Sequence, residues 1–118
     1  MNFLKNRFFS IGYALKGVYL LLKTEASIQI QIAIAVAVTI AGFYYHLSPT
    51  EWILQILTIA LVMSIEGVNT AVEKIADFVH PAHHSKIGFI KDISAGAVCI
   101  AAIAAIIVGC IIYIPKIF

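Results

Sequence analysis

The chain has 118 residues, of which 62% are hydrophobic and only 12% are charged, with a net charge of +2. Soluble domains have about 25% charged residues, and a water-soluble fold this short needs a polar exterior that so few charges cannot supply. The composition therefore excludes an ordinary soluble domain, a disordered chain and a nucleic-acid-binding protein, whose basic excess would be larger. It indicates a small integral membrane protein with one membrane domain over residues 1–118.

The N-terminal segment, residues 5–24, is predicted to form an amphipathic helix on the membrane surface. Apolar residues recur there at steps of three and four, and Lys16 and Lys23 lie beside the apolar stripe. Lysines next to such a stripe are typical of a helix in the headgroup layer rather than one that crosses the bilayer.

Three apolar stretches then predict three transmembrane helices, at residues 28–45, 52–79 and 94–114. The second is expected to continue through several acidic residues, because no proline interrupts it before Pro81. Pro115 is expected to end the third.

Two polar connections join the predicted spans. In the first, Ser48 or Thr50 is expected to cap the second helix, with Glu51 near its positive N-terminal end. The second connection, residues 80–91, carries basic residues, as does the segment before the first span, whereas the first connection has none. The positive-inside rule therefore predicts that the N-terminus and the second connection face the cytoplasm.

An acidic face runs along the second half of the second span. Its members follow one another at i, i+3, i+4, i+7 and i+11, which places them on one side of a helix: Glu66, Asn69, Thr70, Glu73 and Asp77. A solvated helix end is the simpler interpretation of such a run. However, ionisable residues inside a span are costly and usually functional, and a divalent cation or protonation would relieve the repulsion between these acids.

Further polar residues are predicted to lie on the same side of the membrane. Glu25 precedes the first span, where it could also be a simple helix-end charge, and Lys91 and Asp92 are expected to open the third span. An aspartate there would also suit a helix N-terminus. Together with Glu73, these residues form a candidate site for a nucleotide and Mg²⁺, which prefers one or two carboxylates plus phosphate oxygens.

Two motifs give the chain a family resemblance. E-x-x-N-T-A-x-E-x-x-x-D at residues 66–77 and K-D-I-S-A-G-A-V at residues 91–98 resemble the prokaryotic diacylglycerol kinase family, which includes the undecaprenol kinases. The similarity covers residues 12–108 without a gap between the motifs. It implies an all-helical membrane fold, a homotrimer with active sites shared between protomers, and a place in the bacterial cytoplasmic (inner) membrane.

The resemblance also implies a function and a set of site residues. The enzyme would transfer the γ-phosphate of ATP to the hydroxyl of diacylglycerol or undecaprenol, with Mg²⁺ as its metal. Glu66 matches the general base and Asn69 the amide beside it, while Glu25 and Glu73 match the metal-binding carboxylates. Gln31 stands where members commonly carry an acid or a histidine. The remaining matched positions surround the nucleotide: Tyr13, Gly17, Asp77, His83, His84, Lys91 and Asp92.

Two other classes of function are compatible with a small, acid-bearing membrane protein. A small oligomer that conducts ions or protons would line a pore with its acids, but polar groups would then be expected farther across the membrane. A structural membrane subunit would pair its acids with basic residues of a partner and would bind no ATP. Polar loop or nucleotide contacts are favoured over a zinc site for His83 and His84, because no cysteine accompanies them.

Overall fold

The structure, a computed structural model, describes residues 2–118, and its regular secondary structure there is all α-helix. The helices are α1 (Asn2–Thr24), α2 (Ala26–Tyr44), α3 (Pro49–Val79) and α4 (Ser85–Ile117). The last three are long and apolar enough to cross a membrane. An all-helical fold with three candidate spans is therefore confirmed, and α3 does continue without a break through the acidic face.

The turn between α2 and α3 is fixed by a capping box. The Ser48 hydroxyl accepts a hydrogen bond from the Glu51 amide at 3.2 Å, and the Glu51 carboxylate accepts one from the Ser48 amide at 2.9 Å. Of the two predicted caps, Ser48 is confirmed, and Thr50 instead lies within the first turn of the helix. Gly42 is required on the other side of the turn, because a Cβ there would lie 2.6 Å from the Trp52 ring.

Helix α4 begins earlier and ends later than the sequence predicts. It starts at Ser85, where His84 is the N-cap residue and its Nδ1 accepts a hydrogen bond from the Lys86 amide at 3.1 Å. The predicted connection at residues 80–91 is therefore too long, and Lys91 and Asp92 lie in the second turn of α4 rather than at its N-terminus. The charged residues before Ser94 indicated a connection outside the membrane. They are equally compatible with a helix that extends beyond the hydrocarbon, which is what α4 does.

The prediction that Pro115 ends the third span is also wrong. Pro115 lies inside α4, which continues to Ile117, and the Phe118 amide still donates to the Ile114 carbonyl at 3.0 Å. A proline in the last turn removes only one backbone hydrogen bond, so it shortens the hydrogen-bond ladder without stopping the helix.

The three spans form a thin layer, with α3 in the middle and packed most extensively on α4. Few side chains are buried within this single chain; the buried apolar ones are Ile28, Leu47, Ala76, Ala101 and Ile112. Most large aliphatic side chains of the spans are exposed, which would be unfavourable in water and is expected of surfaces that face lipid or another protein.

Helix α1 is separate from this layer. It has no buried residue, and its last turn contacts α3 where Leu21 lies against Gly67. The structure confirms a helix at residues 5–24 and begins it three residues earlier, at Asn2. Its place in the headgroup layer stays a prediction.

Candidate active site

The acidic face of α3 changes from buried to exposed along the helix. Glu66, Asn69 and Thr70 are buried, with exposed fractions of 7–8%, whereas Glu73 and Asp77 are exposed. At a rise of 1.5 Å per residue, the face is about 16 Å long. The face therefore joins a carboxylate inside the protein to carboxylates that a solvent-borne ligand can reach.

Asn69 links the buried and exposed parts of the face. Its side-chain Nδ2 donates a hydrogen bond to Glu73 Oε1 at 3.2 Å, while its Oδ1 is buried and has no hydrogen-bond partner among residues 2–118. A buried amide oxygen without a partner is unusual, because leaving it unsatisfied costs about 1–3 kcal/mol. The Asn69 oxygen is thus available to a donor or a cation beside the Glu73 carboxylate.

An ion pair connects the exposed end of the face to α4. Lys91 Nζ lies 2.5 Å from Asp77 Oδ1, and both side chains are partly exposed. Pairs of this kind contribute about 0–1 kcal/mol, so the contact contributes little to stability and leaves Lys91 free to exchange partners. Asp92 follows Lys91 and is exposed. Because it lies in the second turn of α4, Asp92 is not the helix cap that its position in the sequence suggested.

Glu25 is brought to the same end of the molecule. It is the single residue between α1 and α2, with extended backbone angles, and its side chain caps no backbone amide. Glu25 Oε1 lies 3.5 Å from Lys74 Nζ, with 23% of the Glu25 side chain exposed. Lys74 follows Glu73 on α3, so this ion pair places Glu25 near the acidic face. Lys74 also supplies positive charge to a cluster that would otherwise be repulsive.

Four other predicted site residues have no direct contact with the acidic face. Tyr13 is 73% exposed on α1, and the space around Gly17 is open for 4 Å. His83 is exposed in the connection, and the ring of His84 packs at 5.2 Å from that of His80 while its Nδ1 caps α4. Within residues 2–118, no hydrogen bond or ion pair joins these four residues to the acidic face.

No three His, Cys, Asp or Glu side chains among residues 2–118 are grouped closely enough to hold a metal ion by themselves. Mg²⁺ needs fewer protein ligands, because it is usually held by one or two carboxylates and by substrate phosphates. Oxygen donors of the right chemistry are present in the Glu73 carboxylate, the unpartnered Asn69 oxygen and the Glu25 carboxylate. These groups fit a metal that arrives with a nucleotide.

The family model for prokaryotic diacylglycerol kinase matches residues 12–113, which include the whole acidic face, Glu25 and Lys91. The chain belongs to the prokaryotic diacylglycerol kinase family. The resemblance stated from the two motifs is thereby confirmed. Family membership makes the protein a lipid kinase and, with three apolar helices, a multi-pass membrane protein.

The names of similar proteins agree with this family assignment. The chain is 40% identical to the undecaprenol kinase of Bacillus subtilis (strain 168), with 94% of this chain and 91% of the relative covered. It is 37% identical to a diacylglycerol kinase of Synechocystis sp., covering 93% of this chain but 63% of that relative. It is 33% identical to the diacylglycerol kinase of Escherichia coli (strain K12), covering 86% and 83% of the two chains.

The kinase also contains a second polar region, which the sequence reasoning missed. Gln55 of α3 is 6% exposed, and its Nε2 donates to the Val38 carbonyl of α2 at 3.1 Å. The Tyr113 hydroxyl of α4 lies 2.5 Å from Gln55 Oε1 and 2.9 Å from the same carbonyl. We refer to Gln55, Tyr113 and the Val38 carbonyl as the Gln55 network. A glutamine in an apolar span must find a partner, and that requirement was the available signal.

An apolar cavity of about 490 Å³ lies between α2, α3 and α4, with the Gln55 network among its lining residues. Gln31 also lines it, and the Gln31 Oε1 atom is buried without a hydrogen-bond partner in residues 2–118. Met63 lines the cavity one helical turn before Glu66. The cavity therefore extends from the neighbourhood of the acidic face toward the Gln55 network.

Proposed function

We propose that this lipid kinase transfers the γ-phosphate of ATP to the hydroxyl of a membrane lipid alcohol, with Mg²⁺, and that undecaprenol is its preferred acceptor. The observation that carries the proposal is the gradient of burial along α3, from Glu66 at 8% exposed to the exposed Asp77–Lys91 ion pair. A lipid hydroxyl approaches from the membrane and a nucleotide from water, so a site for both needs carboxylates at both depths. The choice of undecaprenol rests on the 40% identity to the undecaprenol kinase.

Glu66 is proposed as the general base. A carboxylate within hydrogen-bond reach of the acceptor hydroxyl accepts its proton while the hydroxyl oxygen forms a bond to the γ-phosphorus. The bond from that phosphorus to the bridging oxygen breaks, and ADP leaves. Asn69, one turn along the same face, is proposed to orient the reacting groups through its amide.

Glu25 and Glu73 are proposed to hold the metal. Their carboxylates, with the unpartnered oxygen of Asn69 beside Glu73, form a donor set that suits Mg²⁺. When bound, the metal neutralises charge on the phosphate oxygens. The two carboxylates would hold this metal beside the phosphates, and the Glu25 ion pair with Lys74 limits the net negative charge of the carboxylate cluster.

The nucleotide is proposed to bind around the exposed end of the face. Lys91 would exchange its partner Asp77 for phosphate oxygens, a change that a weak, partly exposed ion pair permits. The other proposed contacts with the nucleotide come from α1, α4 and the connection before α4: Tyr13, Gly17, His83, His84 and Asp92.

A homotrimer with shared active sites is also proposed. Family resemblance supports it, and so does the small core of the single chain, in which few side chains are buried. Cross-linking in lipid bilayers should then give species up to the trimer. Mixing Glu66→Gln with Lys91→Met protomers would recover activity if the two residues act from different protomers.

The proposed orientation places the N-terminus and the connection between α3 and α4 in the cytoplasm of a bacterium. Basic residues support it, because they precede α2 and surround that connection but are absent between α2 and α3. With Cys99 and Cys110 replaced by alanine, labelling of a cysteine introduced at Ser85 or at His46 in intact cells should show that only the latter is accessible from outside.

The test of the proposed function is a phosphoryl-transfer assay on the purified protein in lipid vesicles. ATP labelled at the γ-phosphate is supplied with undecaprenol, with diacylglycerol, or with neither, in the presence and absence of Mg²⁺. We expect Mg²⁺-dependent labelling of both lipids, with the higher kcat/KM for undecaprenol. A higher kcat/KM for diacylglycerol would overturn the acceptor proposal, and no labelling of either lipid by folded protein would overturn ATP dependence.

The two alternatives are not favoured. Family membership provides a kinase function that neither a conducting oligomer nor a structural subunit needs. The described residues on the far side of the bundle also include no acid except Glu51, which is engaged by Ser48 and by Lys116 at 3.1 Å. A row of carboxylates that crosses the membrane is therefore absent from residues 2–118.

A further inference from the structure

The junction between α1 and α2 is closed by a side chain from α2. The side-chain nitrogen of Gln29, Nε2, donates hydrogen bonds to the backbone carbonyls of Leu22 and Lys23, each at 3.1 Å. These carbonyls belong to the last turn of α1, where no backbone amide of the same helix can reach them. Gln29 therefore caps α1 from the helix that follows it, which fixes the two helix ends relative to each other.

A second contact holds the same turn of α1 against α3. Leu21 lies over Gly67, where an added Cβ would be 3.1 Å from Leu21 Cδ1. A Cβ at Gly67 would require the Leu21 side chain to shift by a few tenths of an ångström, so the missing side chain at Gly67 lets Leu21 pack closely against α3. Gly67 directly follows Glu66, so the contact lies beside the proposed base.

Glu25 lies between these two contacts. Its backbone amide donates a hydrogen bond to the Leu21 carbonyl, and its backbone carbonyl accepts one from the backbone amide of Gln29, each at 3.1 Å. It is the only non-helical residue in the junction, so the direction of its side chain depends on how α1 and α2 are held. The ion pair with Lys74, at 3.5 Å with Lys74 largely exposed, is too weak to fix that direction alone.

We propose that Gln29 of α2 and the contact between Leu21 and Gly67 of α3, together called the α1 clamp, position the Glu25 carboxylate for the metal that accompanies the nucleotide. The three residues are positioning residues, because they act through the Glu25 side chain. The proposal rests on the proposed role of Glu25 as a metal ligand. Residues that orient metal ligands typically change metal affinity about 10–100-fold when they are replaced.

The first test removes the cap. Gln29→Leu keeps the side-chain volume but deletes both hydrogen bonds, and we expect about a tenfold weaker affinity for Mn²⁺–nucleotide, measured by electron paramagnetic resonance with Mn²⁺ as the probe. Gln29→Lys should keep near-normal affinity, because an ammonium group also donates to carbonyls at a helix C-terminus. Gln55→Leu, the same replacement in the Gln55 network, is the matched control and should leave Mn²⁺–nucleotide binding unchanged.

The second test exchanges sizes across the contact. Gly67→Leu should push Leu21 and α1 away, weaken Mn²⁺–nucleotide binding about tenfold, and raise the Mg²⁺ concentration for half-maximal turnover by a similar factor. The double variant Leu21→Ala/Gly67→Leu restores room for the new side chain and should return both values to within about threefold of the wild type. If Gly67→Leu fails to fold, Leu21→Ala alone, which removes the contact without a clash, should weaken binding in the same direction.

Wild-type Mn²⁺–nucleotide affinity in both Gln29→Leu and Leu21→Ala would overturn the proposal that the clamp positions Glu25. So would a double variant that folds but stays as weak as Gly67→Leu. These outcomes are distinct from a failure of the proposed function. A wild-type protein that binds Mn²⁺–nucleotide but labels no lipid would overturn the kinase proposal, and the binding measurements would still decide whether the clamp exists.

Discussion

Two polar regions lie on α3, and they differ in charge, burial and contacts. The acidic face, from Glu66 to Asp77, is charged, becomes exposed along its length, and leaves the Asn69 oxygen without a partner. The Gln55 network is neutral, and both of its side-chain donors, the Gln55 amide and the Tyr113 hydroxyl, have acceptors within it. Polar groups with all their hydrogen-bond partners stabilise packing, whereas a group without a partner or a cluster of like charges is a candidate binding site. The comparison therefore supports the proposed catalytic role of the acidic face and indicates a structural role for the Gln55 network.

The largest expected effect is on Glu66. Glu66→Gln keeps the shape but removes the proton acceptor, and we expect turnover to fall about a hundredfold or more while nucleotide binding is retained. Turnover is measured by transfer of labelled phosphate, and binding by a thermal shift with nucleotide in detergent. Glu51→Gln, the same change at the other end of α3, is the control and should keep its turnover. Normal turnover of Glu66→Gln would remove Glu66 from the proposed role.

A smaller effect is expected at Glu73. Glu73→Gln loses the charge of a proposed metal ligand, so the Mg²⁺ concentration for half-maximal turnover should rise about tenfold or more. The measurement is turnover across a Mg²⁺ titration at fixed nucleotide. Because an amide can still bind the metal weakly, high Mg²⁺ should recover part of the activity. An unaltered Mg²⁺ requirement would contradict the assignment.

In the Gln55 network, the expected change is in stability rather than in turnover. Tyr113→Phe removes the hydroxyl that bridges Gln55 and the Val38 carbonyl, and such bonds in membranes contribute about 0.6–1.7 kcal/mol. We expect a lower thermal unfolding midpoint in detergent and near-normal turnover per folded molecule. Tyr44→Phe provides the control, because Tyr44 is 75% exposed. Equal midpoints for Tyr113→Phe and the wild type would show that the network does not stabilise the bundle.

The smallest effect is expected from the ion pair near the Gln55 network. Lys116→Met breaks its 3.1 Å contact with Glu51, which joins the end of α4 to the start of α3. The two side chains are partly exposed, at 24% and 27%, and such pairs contribute little, so the unfolding midpoint should fall less than in Tyr113→Phe, and high salt should reduce the difference. A larger loss than that of Tyr113→Phe would reverse the order of the two contacts.

Much of the fold was predictable because apolar length and helix caps are local signals. The three spans follow from uncharged stretches, and Ser48 with Glu51 forms the capping box that the sequence indicates. The start of α4 was not predictable in the same way, because Lys86 and Lys91 suit both a polar connection and a helix beyond the hydrocarbon. Pro115 misled for a different reason: it cannot donate to the Ile111 carbonyl, but the helix resumes its hydrogen bonds after it, as the Phe118 amide shows.

Contacts within the proposed site were predictable from spacing only where the residues share one helix. The spacing from Glu66 to Asp77 places five residues on one face, and Asn69 does contact Glu73. The pairs Asp77–Lys91 and Glu25–Lys74 join different helices, and no spacing rule identifies such partners. The same limit hid the Gln55 network, whose members are 17 and 58 residues apart. Nothing in the sequence indicated the contact at Gly67, because it depends on the position of Leu21 on another helix, α1.

The most direct test of the central claim is turnover per folded molecule, measured in one assay for Glu66→Gln and Gln55→Leu. Both variants change one buried polar side chain of α3. We predict that Glu66→Gln loses about a hundredfold or more and that Gln55→Leu stays within about threefold of the wild type. Similar losses in the two variants, or the larger loss in Gln55→Leu, would contradict the assignment of chemistry to the acidic face.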